Sequence, residues 1–175
     1  MFISNEKHME TNDKKLQKIT PFLWFEYWAE EAVNYYINLF ENSWITSSSR
    51  YDKAWSEVSW MPEWSIMTIW FQLEWQEFVA LNWGPPFKFT PAISFVINCE
   101  TQEEVDKFWN KFSEWWKPDQ CWWITDKYGV TWQVVPTILD KLLQDKDTEK
   151  AWRVMEAMLK MKKIDIEILK KAYNG

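Results

Sequence analysis

Few side chains able to do chemistry occur in this 175-residue chain. His8 is its only histidine and lies in a polar N-terminal stretch. Cys99 and Cys121 are its only cysteines, too few and too isolated for a disulfide framework or a zinc site. Ser94 and the two thiols have no histidine to act as their base, so no activated nucleophile is expected. Carboxylates are plentiful, but Glu30, Glu31, Glu103 and Glu104 fall on predicted helices and read as caps and solvated faces rather than acid–base groups.

Charge narrows the partners. The net charge is −6 and the isoelectric point is near 5.0, which argues against a nucleic-acid surface. Lys160, Lys162, Lys163, Lys170 and Lys171 cluster only near the C-terminal end, interleaved with acids, as on a solvated helix face. Residues 1–16 are polar and lack the apolar segment of a leader or anchor, so they are expected to form a mobile tail. No apolar run approaches the length of a membrane span. A reduced, cytoplasmic protein without membrane contact is the expectation.

The elements that must position any site follow a repeated order. Residues 19–25 read as a strand, 29–40 as an amphipathic helix, and 44–51 as a second strand. A polar loop is expected over 52–63, then a hairpin of 65–73 and 77–81. The scheme restarts with a strand over 92–98, rich in β-branched and aromatic residues. Thr101-Gln102-Glu103-Glu104 is a capping box opening a helix that carries Val105, Phe108, Trp109 and Phe112. Short strands over 122–125 and 131–135 flank the turn Asp126-Lys127-Tyr128-Gly129. A β-α-β-β scheme recurring at about 70 residues implies two similar modules that pair their sheets. Beyond Pro136 the chain reads as helical: a short turn at 137–143, a helix capped by Asp147 or Thr148, and a last one capped by Asp165. The Met155, Met158 and Met161 stripe suits core or dimer packing better than a ligand box.

Tryptophan occupies places where the backbone asks for glycine. The chain has 16 Trp and 3 Gly, whereas an ordinary share would be about 12 Gly. Glu74-Trp75 joins two apolar runs where a tight hairpin wants Asn-Gly. Trp83 and the pair Trp115-Trp116 also fall at chain reversals. UGA is read as Gly in some bacterial lineages and as Trp in others, so a gene translated with the wrong table would show this swap. The other reading is a chain truly rich in Trp.

The segments Pro21-Phe22-Leu23-Trp24-Phe25, Ala29-Glu30-Glu31-Ala32, Asn82-Trp83-Gly84-Pro85, Phe87 to Phe95 and Asp126 to Pro136 resemble the PhnB-like branch of the vicinal oxygen chelate (glyoxalase/bleomycin-resistance) superfamily. Members are often labelled 3-demethylubiquinone-9 3-methyltransferase-like. The resemblance runs from about residue 17 to 175. It implies an α+β fold of paired βαβββ modules around a concave pocket (17–83 and 90–136), followed by a helical extension over 137–175. Against the family pattern, Trp64, Trp75, Trp83, Trp115, Trp116 and Trp122 stand at Gly positions, while Trp24, Trp109, Trp123 and Trp132 look like true Trp. Gly at the other twelve would bring the count to 15, an ordinary share.

Metal-dependent relatives hold an ion with four ligands, usually His and Glu. Carried over, those positions fall at or next to Ile19, near Asn82, at Ala92 and at Gln133. None is a good ligand, so neither a metal nor another cofactor is expected. The methyltransferase label likewise lacks a Gly-rich nucleotide loop after a strand, even with Gly restored. Thr20, Asn82, Ser94 and Gln133 are the polar residues that the resemblance places best for a ligand pocket. Gln133 could orient a carbonyl or amide of a ligand, or simply satisfy a neighbouring backbone group. The expectation is a metal-free small-molecule-binding homodimer. The alternative is an enzyme of unknown reaction in the same superfamily.

Overall fold

A computed structural model of the chain describes residues 17–84, 87–114 and 122–175. The expected tail with His8, the Pro85-Pro86 break, Trp115, Trp116 and Cys121 lie outside them.

Two modules of like topology are present. The first contains β1 (Phe22–Phe25), α1 (Ala29–Leu39), β2 (Trp44–Arg50), α2 (Lys53–Ser59), β3 (Ile66–Leu73) and β4 (Gln76–Asn82). Its sheet has the order β1-β4-β3-β2, with β1 parallel to β4 and the other pairs antiparallel. The second contains β5 (Phe95–Cys99), α3 (Gln102–Ser113), β6 (Trp123–Thr125) and β7 (Thr131–Pro136), in the order β5-β7-β6. Again the first strand lies parallel to the last. A counterpart of β2 is absent among the described residues of this module, so it shows βαββ where the first shows βαβββ with an added helix. Three helices close the chain: α4 (Ile138–Leu143), α5 (Thr148–Leu159) and α6 (Ile166–Asn174).

Where the elements differ from expectation, local chemistry explains it. β1 starts at Phe22 rather than Ile19, because Pro21 has no N–H to give and Ile19 stands in solvent. β5 starts at Phe95 rather than Ala92, because Ile93 N–H turns back to the carbonyl of Thr90 at 3.3 Å. The expected loop over 52–63 contains α2. Asp52 caps it by accepting from the Trp55 N–H at 2.9 Å. None of its residues is buried, so it leaves no apolar periodicity in the sequence. The capping box at α3 is half as expected. Thr101 Oγ1 accepts from the Glu104 N–H, but the Glu104 carboxylate accepts from the N–H of Glu100 at 2.6 Å, one residue earlier than the motif asks.

One apolar core joins the modules. Leu23, Phe25, Ala32, Val33, Tyr36 and Phe71 of the first pack with Ile97, Val105, Phe108, Phe112, Trp132 and Val134 of the second. Phe40 stacks on Phe108 and Phe112 on Trp132, with ring centroids 5.0 and 5.1 Å apart. A separate cluster of Leu139, Leu142, Val154, Met158, Ile164 and Leu169 holds the last helices together. Gln102 ties that cluster to α3 by donating to the Ile164 carbonyl and accepting from the Ile166 N–H. Of the methionine stripe, Met158 is buried there while Met155 is exposed.

Candidate functional site

The four sequence-selected residues do not converge. Thr20 precedes β1, and its hydroxyl meets the Gln17 side chain at 3.5 Å. Asn82 ends β4 and is buried. Its Oδ1 accepts from the Ala29 N–H at 2.9 Å, which caps the first turn of α1, and its Nδ2 donates to the Ile66 carbonyl at 3.2 Å. Both ends of that amide are occupied, so Asn82 fastens helix to sheet.

Ser94 and Gln133 do come together. Gln133 Nε2 donates to Ser94 Oγ at 2.8 Å, and Gln133 Oε1 accepts from the Trp122 indole at 3.4 Å. Gln133 pairs with Val96 across β5–β7 and with Trp123 across β6–β7, so these three side chains leave the sheet on one face. The Ser94–Gln133 pair is half-buried there.

Beside that pair lies a cavity of about 590 Å³, where the tip of the β3–β4 hairpin and the end of α1 meet β5 and α3. Phe40, Leu73, Phe78, Phe95, Val96, Phe108 and Trp132 form its apolar wall. Glu41, Glu74, Glu100 and Glu104 bring negative charge to it, against the single cation Lys107. Its volume suits a small organic molecule. None of Thr20, Asn82, Ser94 or Gln133 is among its lining residues, but Val96 belongs both to its wall and to the register pair with Gln133. The sequence offered no direct signal for this hollow, because its apolar lining residues read individually as core and its charged ones as solvated surface. Only the meeting of two distant segments leaves a gap between them.

A second polar feature also escaped the sequence. Asp126 is buried in the turn before β7 and accepts from Tyr36 Oη (2.6 Å), Trp132 Nε1 (2.9 Å) and the N–H groups of Tyr128 and Val130. Burial pushes its carboxyl above the ordinary range even though all four donors pull the other way. Burial and the Asp126 charge raise Tyr36 well above a normal phenol. Buried and with four donors on its two oxygens, this carboxylate is a structural tie. The Cys99 thiol is buried and pushed up to about 12, mainly by desolvation, so it is no nucleophile at neutral pH.

The four positions that the resemblance assigns to metal ligands do not form a matching donor set. Ile19 and Ala92 carry no ligand atom, the Asn82 amide is spent on the backbone, and Gln133 is a neutral amide bonded to Ser94. Among the described residues no three His, Cys, Asp or Glu side chains converge on one point.

The paired modules, each with its first strand parallel to its last, define a glyoxalase/bleomycin-resistance-type α+β protein. Within that class, the family model described as 3-demethylubiquinone-9 3-methyltransferase matches residues 17–135, and the chain belongs to this PhnB-like family. A solved structure described as a putative 3-demethylubiquinone-9 3-methyltransferase, PhnB protein, from Bacillus cereus is 38% identical, with a TM-score of 0.60 over 69% of this chain and 100% of that one. Protein PA1353 from Pseudomonas aeruginosa is 19% identical, with a TM-score of 0.50 over 69% of this chain and 98% of that one, and adds support for the fold alone. No functionally curated protein matches the chain.

Proposed function

We propose that this PhnB-like protein binds an apolar or aromatic small molecule without a metal. The aromatic cavity of about 590 Å³ at the junction of the modules carries the reading. Phe78, Phe95 and Phe108 supply ring faces and edges for a flat ligand. The Ser94–Gln133 pair lies one strand from the Val96 wall. Beyond its bonds to Ser94 and the Trp122 indole, the half-buried Gln133 amide keeps a second N–H and a second lone pair to orient a polar substituent. The excess of carboxylates disfavours an anionic ligand and leaves neutral or cationic aromatics as the matching class. The methyl transfer named for the Bacillus cereus relative does not enter this reading, because no Gly-rich phosphate loop follows a strand here.

A homodimer goes with this proposal. β2 is a sheet edge exposed along nearly its whole length, with Trp44 and Ile45 in solvent, and a second copy would cover it. Among the described residues no helix is long and apolar enough to cross a membrane. We place the protein in the cytoplasm, with neither nucleic acid nor membrane as partner. Thermal unfolding against a panel of divalent cations and aromatic small molecules tests the reading. Cations should leave the midpoint unchanged and at least one neutral or cationic aromatic should raise it. Stabilisation by a cation in a His8-deleted chain would refute the metal-free reading. Sedimentation velocity should show two copies, and a monomer at micromolar concentration would refute the dimer.

A further inference from the structure

Six non-glycine residues among the described ones have φ in the left-handed region: Asn42, Trp60, Trp64, Glu74, Trp75 and Trp122. Asparagine tolerates this conformation, but a bulky aromatic has no reason to prefer it. Each of the four Trp meets a backbone requirement that glycine satisfies. Trp60 (φ 63°) ends α2 in the left-handed cap position, with its N–H bonded to the Ser56 carbonyl. Trp64 (φ 68°) is the third residue of the turn Pro62 to Ser65, closed by a 3.1 Å bond, where positive φ marks a type II turn. Trp75 (φ 68°) follows Glu74 (φ 45°) between the paired residues Leu73 and Gln76, which is the two-residue type I′ hairpin that calls for Asn-Gly. Trp122 (φ 55°) leads into β6. The true glycines Gly84, Gly129 and Gly175 all have positive φ as well.

Exposure points the same way. Among the described residues eight Trp are exposed: Trp28, Trp44, Trp55, Trp60, Trp64, Trp70, Trp75 and Trp152. Trp60, Trp64 and Trp75 stand 92%, 70% and 65% in solvent, so their indoles do little for the core. Trp109 and Trp132 are buried, and the Trp24 and Trp132 indoles donate to Gly84 O and Asp126 Oδ2. These behave as tryptophans that the fold uses.

We propose that Trp60, Trp64, Trp75 and Trp122 are glycines in the organism's own protein, encoded by UGA codons that its ribosomes read as Gly. At 122 the swap also removes the indole N–H from Gln133 Oε1 and frees that acceptor for a ligand. The reasoning does not extend to Trp28 (φ −104°) or Trp83, which are outside the left-handed set.

The gene and the native protein test this together. The codons at 60, 64, 75 and 122 should be UGA and those at 109 and 132 UGG. Tandem mass spectrometry of the protein purified from its source should read Gly at the first four and Trp at the other two. UGG at the four positions, or Trp in the native peptides there, would overturn the proposal, as would Gly at 109 or 132.

Discussion

Tyr36 on α1 donates a 2.6 Å hydrogen bond to Oδ2 of Asp126, 90 positions later in the second module. The same oxygen takes the Trp132 indole N–H, so one buried carboxylate ties the first helix to the last strand of the second sheet. Tyr36→Phe removes one donor of four and should cost about 1–2 kcal/mol in urea unfolding. Asp126→Ala strands a hydroxyl, an indole and two backbone N–H groups, and should cost about 3 kcal/mol or more. Equal small losses would mean that the tie is relaxed in solution.

The same carboxyl carries a pH signature. Its folded value lies above the ordinary 3.8 because burial penalises the charge. A raised folded value means the native state holds its proton longer than the unfolded chain. The stabilisation is therefore complete below 3.8 and is lost as pH rises to the raised value. Relative to Asp126→Asn, which does not titrate, the parent chain should lose ground as pH climbs from below 3.8 through the raised folded value. Urea midpoints of both proteins at several pH values give the comparison. A parent advantage that grew with pH would show that the four hydrogen bonds outweigh desolvation.

Asn82 separates two roles that the family resemblance leaves open. Asn82→Ala deletes the acceptor of the Ala29 N–H and the donor to Ile66, and should lower stability by about 1–2 kcal/mol. Any aromatic ligand should stabilise the variant as much as the parent. Unchanged stability with lost ligand response would return Asn82 to the pocket.

What the sequence disclosed and what it hid follow a physical line. Val33, Tyr36 and Leu39 on α1, and Val105, Phe108 and Phe112 on α3, repeat at helical spacing because one face of each helix is buried. Asp147 and Asp165 declared their helices through side-chain caps that act within a turn. α2 stayed hidden because it buries nothing. Of the chosen site residues, Ser94 and Gln133 meet, while Asn82 is spent on a cap. The cavity wall could not be read at all: Phe40, Phe78 and Phe108 become neighbours only when separate modules dock. Long-range proximity of that kind has no local period.

The left-handed tryptophans predict a gain in stability from deleting apolar surface. A Trp60→Gly, Trp64→Gly, Trp75→Gly triple variant removes three exposed indoles from positions with φ between 63° and 68°. Each substitution should relieve roughly 1 kcal/mol of backbone strain, partly offset by the greater freedom of glycine in the unfolded chain. The urea midpoint should rise. A fall would mean that the indoles contribute packing which their exposure does not suggest. Trp122 is kept out of this variant because its indole packs against the C-terminal helical cluster.

Val96→Trp tests the cavity most directly. Val96 is half in solvent on the edge strand β5 and lines the hollow, so a larger side chain can enter it without displacing core residues. The variant should unfold at about the same urea concentration as the parent, because little buried surface changes. Its response to the stabilising aromatic should fall by at least tenfold in affinity, equivalent to about 1.4 kcal/mol of lost binding. Gln133→Ala should act differently: it should weaken ligands that carry a carbonyl or amide and spare those that do not. If Val96→Trp binds as well as the parent while Gln133→Ala does not, the ligand rests on the open face of the second sheet, outside the cavity.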